Sequence, residues 1–265
     1  MFDINQIKLF LFDMDGTIYL GDQLFEPTIP LLNAIKEQGK RYLFMTNNSS
    51  KSVEAYVEKL KKLGITACKE DFMTSSQATA YFLNKNYADK LIYVSGTKSF
   101  KKELSDSGLK ITDQLQEGIG CVVCGYDTEL TFEKLENLSI LLLDKELPYF
   151  AANLDLVCPT EYGYVPDCGS VSEMIFNATG RRPVGIGKPS PLMVELARDK
   201  WGAKKEETML IGDRLYTDIA CGKNAGIPTV LVLSGETDME MAEASPHKAD
   251  VIFDDISVIL KELQK

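Results

Sequence analysis

Short apolar runs, each leading into an amphipathic stretch, recur along most of this chain, and that alternation marks repeated β/α units around a largely parallel sheet. The pattern predicts strands over 7–12, 41–45, 208–211, 229–233 and 251–253. Helices are predicted over 27–38, 52–63, 191–201 and 216–224, with Gly64 and Gly226 placed to stop the second and the last. A second α/β pattern occupies the middle of the chain, with strands near 91–94, 120–123 and 149–152 and helices near 98–107, 132–143 and 171–179. It has enough apolar residues for a core of its own. The expected organisation is therefore a core domain of residues 1–78 and 183–265 interrupted by an inserted domain of residues 79–182.

Composition bounds the function classes. A chain of 265 residues with 45% hydrophobic and 26% charged side chains can bury two cores. A formal net charge of −10 argues against a nucleic-acid polymer as partner, because that needs an extended basic face. No apolar run reaches membrane-spanning length and no basic leader precedes an apolar segment, so a cytoplasmic protein without membrane association is expected. The six cysteines are scattered and are expected to be reduced thiols. Cys121 and Cys124 look like a redox pair, but on a strand side chains three apart face opposite ways. A single histidine, His247, argues against a Ser-His-Asp triad and a multi-histidine metal site.

The first three core strands each end in a polar cluster, where open α/β sheets build their sites. The first is Asp13-Met14-Asp15-Gly16-Thr17. In an extended chain i and i+2 share a face, so Asp13 and Asp15 are expected to project into the same space, one to attack and one to handle protons. Gly16 permits a sharp turn, and the Thr17 hydroxyl is expected to fix the loop. The cluster Gly212-Asp213-Arg214 adds a third carboxylate and with it an oxygen-rich setting for Mg2+. Asp218, near the start of the next helix, is placed to hold a metal-bound water or Lys188, or merely to complement the helix dipole. In Thr46-Asn47-Asn48-Ser49-Ser50, hydroxyl, amide and backbone N–H donors can grip phosphoryl oxygens, although such runs also serve as plain helix caps. Lys188, in Gly185-Ile186-Gly187-Lys188-Pro189-Ser190, is not part of an ATP-binding P-loop, since Pro189 interrupts the motif and Arg182 stands where glycine is required. As a lone ammonium it can offset phosphate charge and orient a nucleophile.

Taken in order, Asp13 to Thr17, Thr46-Asn47, Lys188-Pro189 and Gly212-Asp213 through Asp218 resemble the four motifs of the haloacid dehalogenase (HAD) superfamily over essentially the whole chain. The long gap between Thr46 and Lys188 resembles the insertion that holds a type C2 cap. Gly16 to Gly21, Thr46 to Ser50, Ala152 to Asp155 and Gly187 to Pro189 are similar to the NagD and p-nitrophenyl phosphatase branch, subfamily IIA. The resemblance implies an α/β fold with a doubly wound, Rossmann-like parallel-sheet core and a C2-type α/β cap. It implies a Mg2+-dependent phosphatase acting on a small-molecule phosphate ester, such as a sugar phosphate, a nucleotide, phosphoglycolate or p-nitrophenyl phosphate, through a phospho-aspartate. In it Asp13 is the nucleophile and Asp15 the general acid/base, which protonates the leaving oxygen and then takes a proton from water. Thr46, Asn47, Asn48 and Lys188 bind phosphate. Asp13, Asp213 and the backbone carbonyl of Asp15 hold the metal, and Asp218 stands behind them. Asn153, Asp155, Cys168, Gly169 and Ser170 are candidates to face the substrate, with ordinary turn residues the competing reading. A homodimer is compatible with the set.

Two other functions share these residues. A phosphotransferase or mutase differs only in what accepts the phosphoryl group. A signalling receiver phosphorylated on Asp13 would need the core alone, and neither Asp15 nor a large inserted domain. A silent binding protein would have little reason to keep Asp13, Asp15, Lys188 and Asp213 together.

Overall fold

The computed structural model describes residues 3–160 and 163–265. They form two compact units. The first comprises Met1–Thr46, Val53–Met73 and Lys188–Lys265, and the second Asn47–Ser52 and Thr74–Gly187. The second extends on both sides of the expected block 79–182 and also takes in part of the Thr46 to Ser50 cluster.

The first unit is built on a six-stranded sheet in the order Val251–Phe253, Thr229–Val232, Thr208–Gly212, Leu9–Phe12, Arg41–Thr46, Phe72–Thr74. The pairings from Arg41–Thr46 out to Val251–Phe253 are parallel. Leu9-Phe10-Leu11-Phe12 lies centrally and is buried along its whole length, which is why it reads as a continuous apolar run instead of an alternation. Phe10 and Phe12 join the apolar cluster that also holds Leu31 and Ile35 of the helix Thr28–Glu37, Tyr56 and Leu60 of Val53–Lys62, and Ile259 of Ser257–Leu263. In register, Phe12 sits between Phe44 and Ile211, so the three strands carrying polar clusters end side by side.

The second unit has its own five-stranded sheet, in the order Val184–Gly185, Tyr149–Ala151, Ile119–Cys124, Leu91–Ser95, Lys110–Thr112, with every pairing parallel. An antiparallel ribbon pairs Val157 with Pro166 and Thr160 with Gly163. The core combines Tyr93, Val122, Cys124, Tyr149, Cys168 and Ile175. Cys124 belongs to this cluster and Cys121 does not, as opposite strand faces require.

Several elements depart from expectation, three of them beside the polar clusters. The strand Phe72–Thr74 and the helix Ser75–Tyr87 were not predicted. That helix starts on a capping box, with Thr74 Oγ1 accepting from Gln77 N–H at 3.1 Å and Gln77 Oε1 accepting from Thr74 N–H at 3.0 Å. The helix expected over 216–224 is instead a π-turn, Leu215–Ile219, followed by the helix Ala220–Ala225. Among the described residues, no helix is long and apolar enough to cross a membrane.

Candidate active site

Asp13 follows directly on the buried strand Leu9–Phe12, where its N–H donates to Ile211 O at 2.8 Å. Its Oδ1 accepts from Lys188 Nζ at 2.5 Å, and the same ammonium donates to Asp218 Oδ1 at 2.6 Å. Lys188 is only 2% exposed and Asp218 fully buried. Burial works against the Lys188 ammonium, but Asp13 and Asp218 more than reverse that and raise its pKa. For Asp13, burial outweighs the opposing pull of Lys188 and pushes the carboxyl up to about 6. The π-turn sets Asp218 in place: its N–H donates to Arg214 O at 3.0 Å, and its Oδ2 accepts from Arg214 N–H at 3.1 Å. It is thus a buried ligand to Lys188, not an exposed first-turn acid. Such turns recur at functional sites.

Asp213 follows the strand Thr208–Gly212 and is 2% exposed. Its Oδ2 accepts from Glu236 N–H at 2.7 Å, whereas its buried Oδ1 has no hydrogen-bond partner. Burial, then the charges of Asp13 and Asp218, push it up to about 8. One carboxylate oxygen from each of Asp13, Asp213 and Asp218 lies within 4.8 Å of the others. Like charges this close are unfavourable without a cation, and an unpaired buried carboxylate oxygen is a hard ligand in waiting. The donor set therefore fits Mg2+.

Several expected roles look different in the structure. Asp15 lies beyond the strand Leu9–Phe12, in a turn where the Met14 carbonyl accepts from Thr17 and Ile18. The Asp15 side chain is 52% exposed, with Oδ2 4.0 Å from Lys59 Nζ. The Thr17 hydroxyl is buried without a hydrogen-bond partner, so it does not fix the loop as expected. That is done by Gly16, whose N–H donates to Tyr19 O at 2.7 Å with φ at 86°. Thr46 ends its strand in the first unit, and Asn47 starts the first segment of the second. The Asn47 amide donates to both carboxylate oxygens of Asp155 at 3.1 Å. Asn48 Oδ1 accepts from Ser50 N–H and Oγ in a local turn.

The candidates in the second unit are mostly engaged by neighbouring groups of that unit. Asn153 is fully buried and donates to Asp167 Oδ1 at 3.2 Å. Cys168 is in the apolar cluster with its Sγ 3.7 Å from Cys124 Sγ, so its side chain is spent on packing. Gly169 donates its N–H to Asp155 O at 2.8 Å, and a Cβ there would lie 2.3 Å from Leu154 O, so only glycine fits. Ser170 Oγ donates to Leu156 O at 2.5 Å.

The sequence reading missed the turn Ser234-Gly235-Glu236. It carries the N–H that holds Asp213, while Ser234 Oγ donates to Gly16 O at 2.7 Å and Glu236 pairs with Arg214 at 2.9 Å. The signal was present: these residues lie just past the strand Thr229–Val232, a fourth polar cluster at a parallel strand end.

Family models for haloacid dehalogenase-like hydrolases match residues 10–110, and for HAD-hydrolase-like proteins residues 185–259. A 4-nitrophenylphosphatase from Thermotoga maritima superposes with a TM-score of 0.92 at 40% identity, over 97% of this chain and 98% of that one. An acid sugar phosphatase from Staphylococcus haemolyticus is 31% identical over 99% of this chain and 98% of its own length. A glycerol phosphate phosphatase from Mycobacterium tuberculosis, solved in complex with magnesium, gives a TM-score of 0.87 at 30% identity over 99% of this chain and 78% of that one. The chain belongs to the haloacid dehalogenase-like hydrolases. Within that class it falls in the NagD and 4-nitrophenylphosphatase branch, subfamily IIA, and is a phosphoric monoester hydrolase.

Proposed function

We propose that this protein is a Mg2+-dependent phosphatase that hydrolyses a small-molecule phosphate monoester through a phospho-aspartate on Asp13. The observation that carries the proposal is the buried ion pair of Asp13 with Lys188 beside the carboxylates of Asp213 and Asp218. Magnesium in a structural relative that is 30% identical and matches 99% of this chain supports the choice of metal.

Asp13, Asp213 and the Asp15 carbonyl would hold the ion, which supplies positive charge against the phosphate and keeps the carboxylates ionised. Lys188 fixes one oxygen of Asp13 and so orients the carboxylate for attack on phosphorus. Asp218 holds Lys188 from the far side, so the ammonium is anchored at two points. Arg214 adds a second cation, drawn by Asp13 and Asp213 as well as by Glu236. Donors at Thr46 and the start of the following segment would take the phosphoryl oxygens. Asp15, the more exposed of the two motif aspartates, is free to meet the leaving oxygen and then the attacking water. Substrate choice we assign to the second unit, as the C2 cap of this fold.

Asp13→Asn tests the mechanism. Hydrolysis of p-nitrophenyl phosphate should need Mg2+ and fall below detection in the variant, with its circular dichroism spectrum unchanged. Wild-type rates in a folded Asp13→Asn protein would refute the phospho-aspartate.

A further inference from the structure

Three strand ends interlock around Asp213. From the end of Leu9–Phe12 comes Gly16, where a Cβ would lie 2.4 Å from Asp213 Oδ2 and 3.0 Å from the Cα of Gly235. From the end of Thr229–Val232 comes the turn Ser234-Gly235-Glu236, in which a Cβ on Gly235 would lie 2.1 Å from the same oxygen. Backbone from both sides is therefore packed against one oxygen of one carboxylate, and only glycine allows the approach. The contact is polar as well as steric, since Glu236 N–H donates to that oxygen at 2.7 Å. The turn is held in turn at both ends, by Ser234 Oγ on the Gly16 carbonyl at 2.7 Å and by the Glu236 carboxylate on Arg214 Nε at 2.9 Å.

This crowding is one-sided. Oδ2 is enclosed and hydrogen-bonded, whereas Oδ1 is buried with no hydrogen-bond partner. A carboxylate free to rotate about its Cβ–Cγ bond would exchange the two oxygens, and the Glu236 N–H breaks that equivalence. An oxygen left bare in a buried, triply acidic setting is placed to take a cation as its neighbour.

We infer that the turn Ser234-Gly235-Glu236 is a positioning device for the metal site, which locks Asp213 so that Oδ1 is the oxygen presented to the divalent cation. The inference rests on the metal-dependent reading above. The turn's effect passes through Asp213, as outer partners of metal ligands act by fixing ligand orientation.

The test is calorimetric titration of the full-length protein with MgCl2, run beside the Mg2+ dependence of p-nitrophenyl phosphate hydrolysis. Gly235→Ala should displace the carboxylate and weaken Mg2+ binding by about ten-fold or more. Ser234→Ala removes one hydroxyl from a partly buried position, preserves the fold if Gly235→Ala does not, and should weaken Mg2+ by roughly three-fold, below the usual range for such partners. In both, the half-saturating Mg2+ concentration for hydrolysis should rise while KM for the ester at saturating Mg2+ stays put. A merely structural defect would lower the active fraction and leave the Mg2+ dependence unmoved. Unchanged Mg2+ affinity in the folded variants would overturn the inference and leave the phosphatase reading intact. Failure of the wild-type protein to bind Mg2+ would overturn both.

Discussion

A Cβ on Gly212 would lie 2.4 Å from the Cβ and Cγ of Asp218, with no flexible side-chain end to yield. Gly212 is the last residue of its strand, and the π-turn brings Asp218 back against it. Gly212→Ala must push Asp218 away from Lys188. We expect kcat/KM for p-nitrophenyl phosphate to fall about 100-fold, the usual consequence of an ångström-scale misplacement. Stability should fall by about 1–3 kcal/mol, the range for overpacking. Steady-state rates and thermal unfolding check both, and an unaltered rate would show that Asp218 need not be held this closely. At this scale much was legible. Asp13, Asp213 and Lys188 were recognisable because an acidic or basic residue just past an apolar strand, or beside Gly-x-Gly, has little structural reason to be there. For Asp15 the alternation rule was carried past the strand's end at Phe12, into a turn where the Met14 carbonyl accepts from Thr17 and Ile18. Thr17 was given a hydrogen bond because its hydroxyl has the chemistry for one, whereas in the fold it is buried without a partner.

The helix Cys168–Thr179 shows how an element can carry a pH dependence. Its N-cap, Asp167, accepts from Cys168 N–H and from Asn153, yet burial, with help from the charge of Asp155, pushes its carboxyl up to about 6. The folded state therefore holds the Asp167 proton more tightly than the unfolded chain. Its contribution to stability is full below the ordinary carboxylate range, declines as pH rises through about 6, and is level beyond. Asp167→Asn keeps the cap acceptor and removes the charge. Relative to wild type, the variant should gain about 2 kcal/mol of stability between pH 4.5 and pH 7, the part of the roughly two-unit shift that falls in this window. Urea unfolding of both proteins at the two pH values measures this, and parallel curves would rule it out. Elements with a clear apolar period were legible to within a residue or two, as at 208–211 and 251–253. The helix Ser75–Tyr87 was not, because its first turns are small and polar, Ser-Ser-Gln-Ala-Thr-Ala, and its buried face is made partly of Ser75, Ser76 and Thr79. Its capping box was the one local signal. The π-turn has no sequence period at all. It is held by Arg214 and Asp218, residues already spoken for by the site.

At the scale of the molecule, the six- and five-stranded sheets of the two units have separate cores, and the carboxylates of the site all belong to the first unit. A ligand that binds only the folded first unit stabilises that unit, by about 2.7 kcal/mol at a hundred-fold excess over its Kd. Hydrogen exchange should therefore slow on adding Mg2+ in the strands Leu9–Phe12, Thr208–Gly212 and Thr229–Val232, and hold steady in Ile119–Cys124 and Tyr149–Ala151. Equal slowing in both sets would mean that the two units open together. The two-unit organisation itself was legible, since a second run of β/α units needs its own core. Its edges were not, because Asn47–Ser52 joins the second unit through contacts remote in sequence.

That short segment bears on how the second unit could be transplanted. Residues 47–52 are bonded into the second unit by Ser49 Oγ accepting from Tyr126 N–H at 2.8 Å, Ser75 Oγ donating to Asn47 O at 2.6 Å and the Asn47 amide on Asp155. A chimera that grafts a relative's second unit between Thr74 and Gly187 alone would strand all three partners of this hexapeptide. The transplantable module is discontinuous, and a donor graft has to bring its own Asn47-to-Ser52 counterpart, spliced immediately after Thr46.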